Sequence, residues 1–136
     1  MIPGEPPGTS VLDTENCWRL LAGTGIGRLA ISVDDGVDIF PLNYLSHDAR
    51  LYFRSAPGSK IVELTRRPQV AFEVDGRANG AHWSVVVRGS ARRLASDPEI
   101  EHSGIEALKP WQTGEKFNYF EILPQQLSGR LVRTRG

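Results

Sequence analysis

Cysteine is nearly absent from the sequence, because Cys17 is the only one among 136 residues. A single cysteine excludes an intrachain disulfide and a metal site built from several cysteines of one chain. Cys17 lies at helical spacing with Leu20 and Leu21, a position where a free cysteine packs as a small apolar side chain. This cysteine usage predicts a cytoplasmic protein and gives Cys17 a structural role.

An excess of either charge is also missing, since 16 Lys and Arg balance 16 Asp and Glu. Without net positive charge, the chain has no long-range field to attract a nucleic acid backbone or an anionic membrane. No apolar run approaches the roughly 20 residues that cross a bilayer. We therefore expect neither nucleic acid nor membrane partners, and a small molecule is the expected ligand.

The first 12 residues are rich in proline and glycine, which do not propagate helix or strand hydrogen bonding. They predict a flexible arm. The remainder, 13–136, belongs to a chain that is 40% hydrophobic, enough for one core but not for a second domain of ordinary size. We therefore predict a single domain over 13–136.

Hydrophobic periodicity predicts a mostly β domain, because apolar residues alternate with polar ones along most of the chain. Strands are predicted over 26–33, 37–44, 51–54, 70–75, 82–94, 117–123 and 127–133, and helices over 13–23, 61–66 and 97–108. Asp13 and Asp97 are the predicted caps of the first and last helices. Gly89 is expected to mark a bulge that lets a long strand bend around a barrel. Short turns between the strands favour a barrel of about six to seven antiparallel strands with two or three short helices.

Pro41 interrupts the second predicted strand and cannot donate a hydrogen bond to a sheet. Its position indicates one of three arrangements: an edge strand, a bulge, or a backbone that serves a ligand in place of a neighbouring strand.

The segment 54–60 has the composition of an anion-binding loop between a strand and a helix. Two cations and two hydroxyls converge there: Arg54, Lys60, Ser55 and Ser59. Pro57 and Gly58 turn the chain, and backbone N–H groups at a helix start favour an anion. The pattern indicates a phosphate, although it matches neither the Walker nor the Rossmann glycine pattern. The simpler alternative is a surface strand, an ordinary turn and a solvated lysine.

Groups for acid-base chemistry are few. Glu73 and Asp75 alternate along one strand face, and a salt bridge from them to Arg88 on the next strand is the expected explanation. Ser84 lacks visible histidine and acid partners, so a serine hydrolase is not indicated. The histidines show neither triad nor metal spacing, and His82, beside Trp83, is the one of interest.

Several short motifs occur in a characteristic order. They are Cys-Trp-Arg-Leu-Leu at 17–21, Gly-Arg-Leu-Ala at 27–30, Phe-Pro-Leu-Asn-Tyr at 40–44, the loop 54–60, Phe-Glu-Val-Asp at 72–75, and Trp-Ser-Val-Val-Val-Arg-Gly at 83–89. In this order the chain, over about 13–133, resembles the pyridoxamine 5'-phosphate oxidase-like flavoproteins of the FMN-binding split-barrel superfamily.

The resemblance implies a homodimer with FMN in a cleft between subunits. Arg54, Ser55 and Lys60 would bind the FMN phosphate, together with Gly58 and Ser59 of the same loop. The strand Pro41, Leu42, Asn43 and Tyr44 would run beside the isoalloxazine ring. Trp83 and Ser84 correspond to residues that the partner subunit contributes, although Trp83 also fits core packing. A deazaflavin is the alternative cofactor, since related proteins use one.

The function implied is that of a small flavin-dependent oxidoreductase in which hydride moves to or from flavin N5. The organic substrate is not identified, and residues that would mark pyridoxamine phosphate as substrate are missing near the C-terminus. A non-catalytic flavin-binding or flavin-sensing module is an alternative. A split barrel without a cofactor is a further one, which the intact Arg54 and Lys60 disfavour.

Overall fold

Tight polar turns divide the chain into eight strands in a computed structural model, which describes residues 8–56, 60–105 and 118–133. The strands are β1 Thr9–Leu12, β2 Ile26–Val33, β3 Gly36–Asn43, β4 Leu45–His47, β5 Arg50–Ser55, β6 Gln69–Ala78, β7 Ala81–Arg93 and β8 Asn118–Arg133. The helices are α1 Thr14–Ala22, the 3-10 helix Lys60–Thr65 and α2 Asp97–Ser103. Within the described ranges, no helix is long and apolar enough to span a bilayer.

The sheet is antiparallel and curls into a split barrel. Its strand order is β3-β2-β6-β7-β8-β5-β4, and β1 adds to β8. Strands β3 and β4 lie at opposite ends of this order, yet a single residue, Tyr44, connects them. The sheet must therefore curl until its two edges meet, which leaves a split beside Tyr44. This confirms the predicted mostly β split barrel.

The core fills the inside of the curled sheet. Its largest fully buried side chains include Phe53, Phe72 and Phe120. Phe53 and Phe120 stack across β5 and β8 with ring centroids 5.2 Å apart. Helix α1 contributes Cys17 and Leu21, both fully buried, and burial raises the pKa of the Cys17 thiol. Cys17 is thus part of the core, as its spacing predicted.

Helix α1 begins where the sequence indicated. The Asp13 carboxylate accepts a hydrogen bond of 2.8 Å from the Asn16 amide and so caps the helix. The segment before it differs from the prediction of a flexible arm over 1–12. Residues 1–7 lie outside the described ranges, but Thr9–Leu12 forms β1. Pairing with β8 supplies hydrogen bonds that local composition does not reveal.

The two predicted C-terminal strands are one. Strand β8 runs without interruption from Asn118 to Arg133, and Pro124 sits opposite Gly89 where the register with β7 shifts. A bulge tolerates a proline because a ladder hydrogen bond is already lost there. The bulge predicted at Gly89 is confirmed, and it explains why Pro124 does not end the strand.

The helices are shorter or tighter than predicted. Helix α2 is capped by Ser96, not Asp97, and ends at Ser103 because Gly104 adopts a left-handed conformation with φ 77°. The helix therefore ends earlier than predicted, and residues 106–108 of the predicted range lie outside the described residues. The helix predicted over 61–66 is a 3-10 helix, Lys60–Thr65, and not an α-helix.

Candidate functional site

The split of the barrel brings together two groups of residues that the sequence singled out. Strand β4 pairs only with residues 50–52 of β5, so the segment 53–55 extends beyond it. Strand β3 lies at the sheet edge, and it contacts β5 across the split. Arg54 and Ser55 on β5 therefore lie near the strand that carries Pro41, Leu42 and Asn43.

Ser55 is the most informative residue at the split. It is only 6% exposed, and its hydroxyl has no hydrogen-bond partner among the described residues. Pairing with Asn118 of β8 holds the backbone in place. A buried hydroxyl without a partner costs about 1–3 kcal/mol. An unsatisfied donor at this point is the arrangement expected of a ligand-binding residue.

Arg54 is the residue before Ser55 on β5, and the pleat of the strand directs the two side chains to opposite faces of the sheet. Its side chain is half-buried with its Nη2 atom inaccessible to solvent, and its backbone pairs with Tyr119 of β8. A guanidinium and a serine hydroxyl are both donors that a phosphate group accepts. These two side chains are chemically suited to phosphate, and their joint role in one site stays a prediction.

Less is described of the other residues in the predicted anion-binding loop. Pro57, Gly58 and Ser59 lie outside the described residues. Lys60 begins the 3-10 helix. The observed 3-10 helix is as long as the predicted α-helix, but the hydrogen-bond geometry of a 3-10 helix is poorer. The predicted anion site would therefore depend on side chains more than on a helix terminus.

The proline in β3 marks an edge strand. Pro41 is exposed and pairs with Arg28 of β2, in a register that continues from Ile26 to Val33. Pro41 lies on an edge strand, whose outer backbone groups face away from β2, and a role of that backbone in binding a ligand stays a prediction. Leu42 is half-buried against the core, and Asn43 is half-buried at the strand end.

Tyr44 turns inward. Its side chain is 3% exposed, its hydroxyl donates to the Leu21 carbonyl at 2.5 Å, and its ring contacts Phe72 edge-on at 4.9 Å between centroids. Burial raises the pKa of Tyr44 to about 12. The side chain therefore fastens the split to the end of α1.

Trp83 and Ser84 lie far from the split along the sheet. Trp83 pairs with Leu131 near the end of β8, whereas Arg54 pairs near its beginning. The Trp83 ring is 9% exposed and belongs to the core cluster, and Ser84 is on the opposite sheet face. Within one protomer, Trp83 and Ser84 are therefore distant from Arg54.

Glu73 and Asp75, the acidic pair on β6, bind partners other than the predicted Arg88. Arg28 Nη1 lies 2.9 Å from both Glu73 Oε1 and Asp75 Oδ1, and His82 Nε2 lies 3.0 Å from Asp75 Oδ2. The bond from His82, followed by that from Arg28, lowers the pKa of Asp75. The predicted salt bridge to Arg88 is wrong, because β6 has β2 on its other side and the register places Arg28 opposite Glu73.

The sequence reasoning missed a second ionic network. Glu121 is 6% exposed, and its carboxylate accepts hydrogen bonds from Arg50 at 3.1 Å, Tyr52 at 3.2 Å and Arg92 at 3.4 Å. These residues join β5, β7 and β8. The available signal was an acid inside the apolar run Phe-Glu-Ile-Leu at 120–123.

The other two histidines face each other. The ring centroids of His47 and His102 lie 6.2 Å apart, edge-on. In the part of the chain that the structure describes, no group of three His, Cys, Asp or Glu side chains could hold a metal ion.

Comparisons with known proteins agree with this architecture. A family model described as pyridoxamine 5'-phosphate oxidase matches residues 13–131. An uncharacterized protein of Rhizobium meliloti is 33% identical over 126 residues, 88% of this chain and 82% of that protein. The FAD binding protein of Mycobacterium smegmatis is 32% identical with a TM-score of 0.81, covering 93% of this chain and 100% of that one. A FAD-binding protein of Mesorhizobium loti is 30% identical with a TM-score of 0.80, covering 91% and 98%.

Proposed function

The chain belongs to the pyridoxamine 5'-phosphate oxidase family, and on that premise we propose that it binds the phosphate of a flavin nucleotide at the split of its barrel. The observation that carries the proposal is the buried Ser55 hydroxyl, which lacks a hydrogen-bond partner among the described residues. A phosphate oxygen would accept that hydrogen bond. Arg54 precedes Ser55 on β5, and Lys60 begins the 3-10 helix that follows.

Strand β3 would hold the ring system. Its outer edge is not covered by another strand within the described ranges, so backbone groups on that edge can bond a planar ligand with polar edges. Pro41 removes one N–H from that edge and keeps a further strand from pairing there.

When bound, a flavin supplies hydride transfer at N5. The role of this chain would be to bind the phosphate, orient the ring and exclude water. We therefore propose a small oxidoreductase acting on an organic acceptor such as a nitro, quinone-like or conjugated carbonyl compound. Because both solved relatives are named for FAD binding, FAD is a third candidate cofactor in addition to FMN and deazaflavin.

The proposed cofactor would lie between two copies of the chain. Arg54 pairs with Tyr119 of β8 and Trp83 with Leu131, positions separated by about 40 Å along an extended strand. Trp83 and Ser84 could therefore reach a flavin held by Arg54 of a partner subunit more readily than one held by their own. A homodimer is the arrangement that would bring both groups to one cofactor.

A second candidate is a module that binds flavin without catalysis. It is favoured by the two solved relatives, which are named for FAD binding and for no reaction. A purified protein that carries flavin but reduces no acceptor would support it.

The first experiment identifies the ligand. The absorption spectrum of the purified protein is recorded, and the small molecule released on denaturation is analysed by mass spectrometry. The masses of FMN, FAD and deazaflavin differ, so the result separates the three. Protein that carries none of them and binds none on addition would contradict the proposal.

The second experiment tests the phosphate contact by titrating flavin fluorescence. Lys60→Ala should weaken binding roughly ten- to hundredfold, since a charge-assisted contact to phosphate contributes about 1.5–3 kcal/mol. Arg66→Ala is the matched control, because Arg66 is 69% exposed and paired with Glu63 just after the same 3-10 helix. An unchanged dissociation constant for Lys60→Ala would remove Lys60 from the site.

A further inference from the structure

We propose that His47 and His102 form a two-histidine site for a transition-metal ion such as Zn²⁺, Ni²⁺ or Cu²⁺. The two ring centroids lie 6.2 Å apart, and the ring planes are inclined at 74°. Neutral imidazole is the commonest protein ligand for ions of this kind. The inference does not depend on flavin binding, because neither histidine belongs to the proposed phosphate site.

The spacing of the two rings suits a shared ion. Imidazole nitrogens bind Zn²⁺ at about 2.0–2.1 Å, so two rings on one ion have centroids roughly 4.5–6.4 Å apart, depending on the angle at the metal. The observed 6.2 Å between His47 and His102 is within this range. Both side chains are exposed, and rotation about the broad terminal torsion of histidine can direct a nitrogen of each ring toward the ion.

The nitrogens of these two rings are not committed to another group. Among the described residues, neither His47 nor His102 takes part in a hydrogen bond or an ion pair. His82 differs, because its Nε2 atom lies 3.0 Å from Asp75 Oδ2. An ion at His47 and His102 would therefore displace no side-chain partner that the structure describes.

The two histidines are held together by the fold. His47 lies on β4 and pairs with Arg50 of β5. His102 lies in the last turn of α2, and α2 ends against β4, since a Cβ at Gly104 would lie 3.4 Å from Leu45 Cδ2. The ligands are thus close before an ion arrives, which lowers the entropy cost of binding. A bound ion would cross-link α2 to β4, the edge strand beside the split.

Two histidines leave the other coordination positions to water or to an added ligand. In the part of the chain that the structure describes, no third His, Cys, Asp or Glu side chain completes the set. The site is therefore an open one, and it should bind an ion less tightly than a four-ligand structural site. Arg50, opposite His47, does not oppose a cation strongly, because Glu121 lies 3.1 Å from its guanidinium and offsets its charge.

The test is isothermal titration of the full chain with Zn²⁺. The dissociation constant for the wild type should be roughly 1–100 µM, as expected from half the ligands of a structural site. His47→Gln and His102→Gln should each weaken binding about tenfold or more, since loss of even an outer-shell partner of a ligand costs that much. His82→Gln is the matched control, and it should leave Zn²⁺ affinity unchanged.

Thermal unfolding with and without Zn²⁺ measures the cross-link. An ion that binds the folded chain should raise the unfolding midpoint of the wild type and of His82→Gln, but not that of His47→Gln or His102→Gln. Both proposed ligands are exposed, so these variants should fold. Zn²⁺ affinity that is the same in the wild type and in either ligand variant, or that falls only in His82→Gln, would overturn the proposal. Flavin affinity measured on the same variants tests the phosphate site separately.

Discussion

At the scale of single residues, two buried serines differ in one respect. The Ser103 hydroxyl donates to the Ile100 carbonyl at 2.6 Å and accepts from the Ile105 amide at 3.1 Å. The Ser55 hydroxyl has neither kind of bond among the described residues. Ser103 therefore stabilises the fold through its hydroxyl, whereas the Ser55 hydroxyl is available to a ligand.

Ser55→Ala should raise the stability of the ligand-free protein and weaken flavin binding. Removing an unsatisfied buried hydroxyl relieves about 1 kcal/mol of desolvation cost, and the same change deletes a donor to phosphate. Urea unfolding and flavin titration measure the two effects. As the matched control, Ser103→Ala should lower stability by about 1 kcal/mol and leave flavin affinity unchanged. A destabilised Ser55→Ala protein with normal affinity would refute this reading.

Tyr44 makes stability depend on pH in the alkaline range. Burial raises its pKa from 10.0 to about 12. The unfolded chain therefore loses this proton at lower pH than the folded one, and the stabilisation is complete below pH 10 and declines as pH rises toward 12. The slope should be about 1.4 kcal/mol per pH unit. Urea unfolding between pH 9 and 12 measures it.

Tyr44→Phe is the comparison for that profile. It should remove this part of the alkaline decline, and at neutral pH it should cost about 1 kcal/mol because the Leu21 carbonyl loses its hydroxyl donor. If the free energy of unfolding of the wild type and the variant falls equally above pH 10, the pKa of the Tyr44 hydroxyl is not raised by burial, contrary to this prediction.

At the scale of elements, the bend in β7 and β8 depends on Gly89. A Cβ at this position would lie 2.3 Å from the Leu123 carbonyl oxygen, a backbone atom that cannot move aside without breaking the bulge. Gly89→Ala should therefore destabilise the protein by about 3 kcal/mol. Denaturant unfolding checks this. Gly25→Ala is the control, since no atom lies within 4 Å of its Cβ position; a comparable loss there would show that the bulge is not special.

At the scale of the whole molecule, the exposed apolar residues of β3 bear on assembly. Val37 and Ile39 are each 66% exposed on an edge strand that also carries Pro41. Edge strands with exposed apolar side chains favour association. Under the proposed function, this edge lies next to the cofactor and the subunit seam.

Analytical ultracentrifugation should give a mass of two 15.0 kDa chains for the wild type. Ile39→Lys should shift the equilibrium to the single chain and reduce flavin binding, because a lysine at the seam would have to be desolvated. Val11→Lys is the control, since Val11 is 68% exposed on β1. A dimer insensitive to Ile39→Lys would place the seam elsewhere.

Much of the architecture could be predicted because it is encoded locally. Alternation along β2, the Asp13 cap of α1 and the bulge at Gly89 are properties of neighbouring residues, and the structure confirms each. The ends of elements were predicted less well. Gly104 ends α2 six residues before Pro110, and β8 continues past Pro124 because the register with β7 shifts there and leaves Gln125 of β8 as the extra residue of a bulge.

Most strands, a single core and the candidate anion segment that carries Arg54 and Ser55 could be inferred from the sequence. The fold was needed to show that Arg28, and not Arg88, binds the acidic pair, that Tyr44 faces inward, and that the Ser55 hydroxyl is buried. The physical reason is that periodicity assigns a face to each residue, whereas neighbours across a curled sheet follow from strand order and register, which depend on contacts distant in the chain.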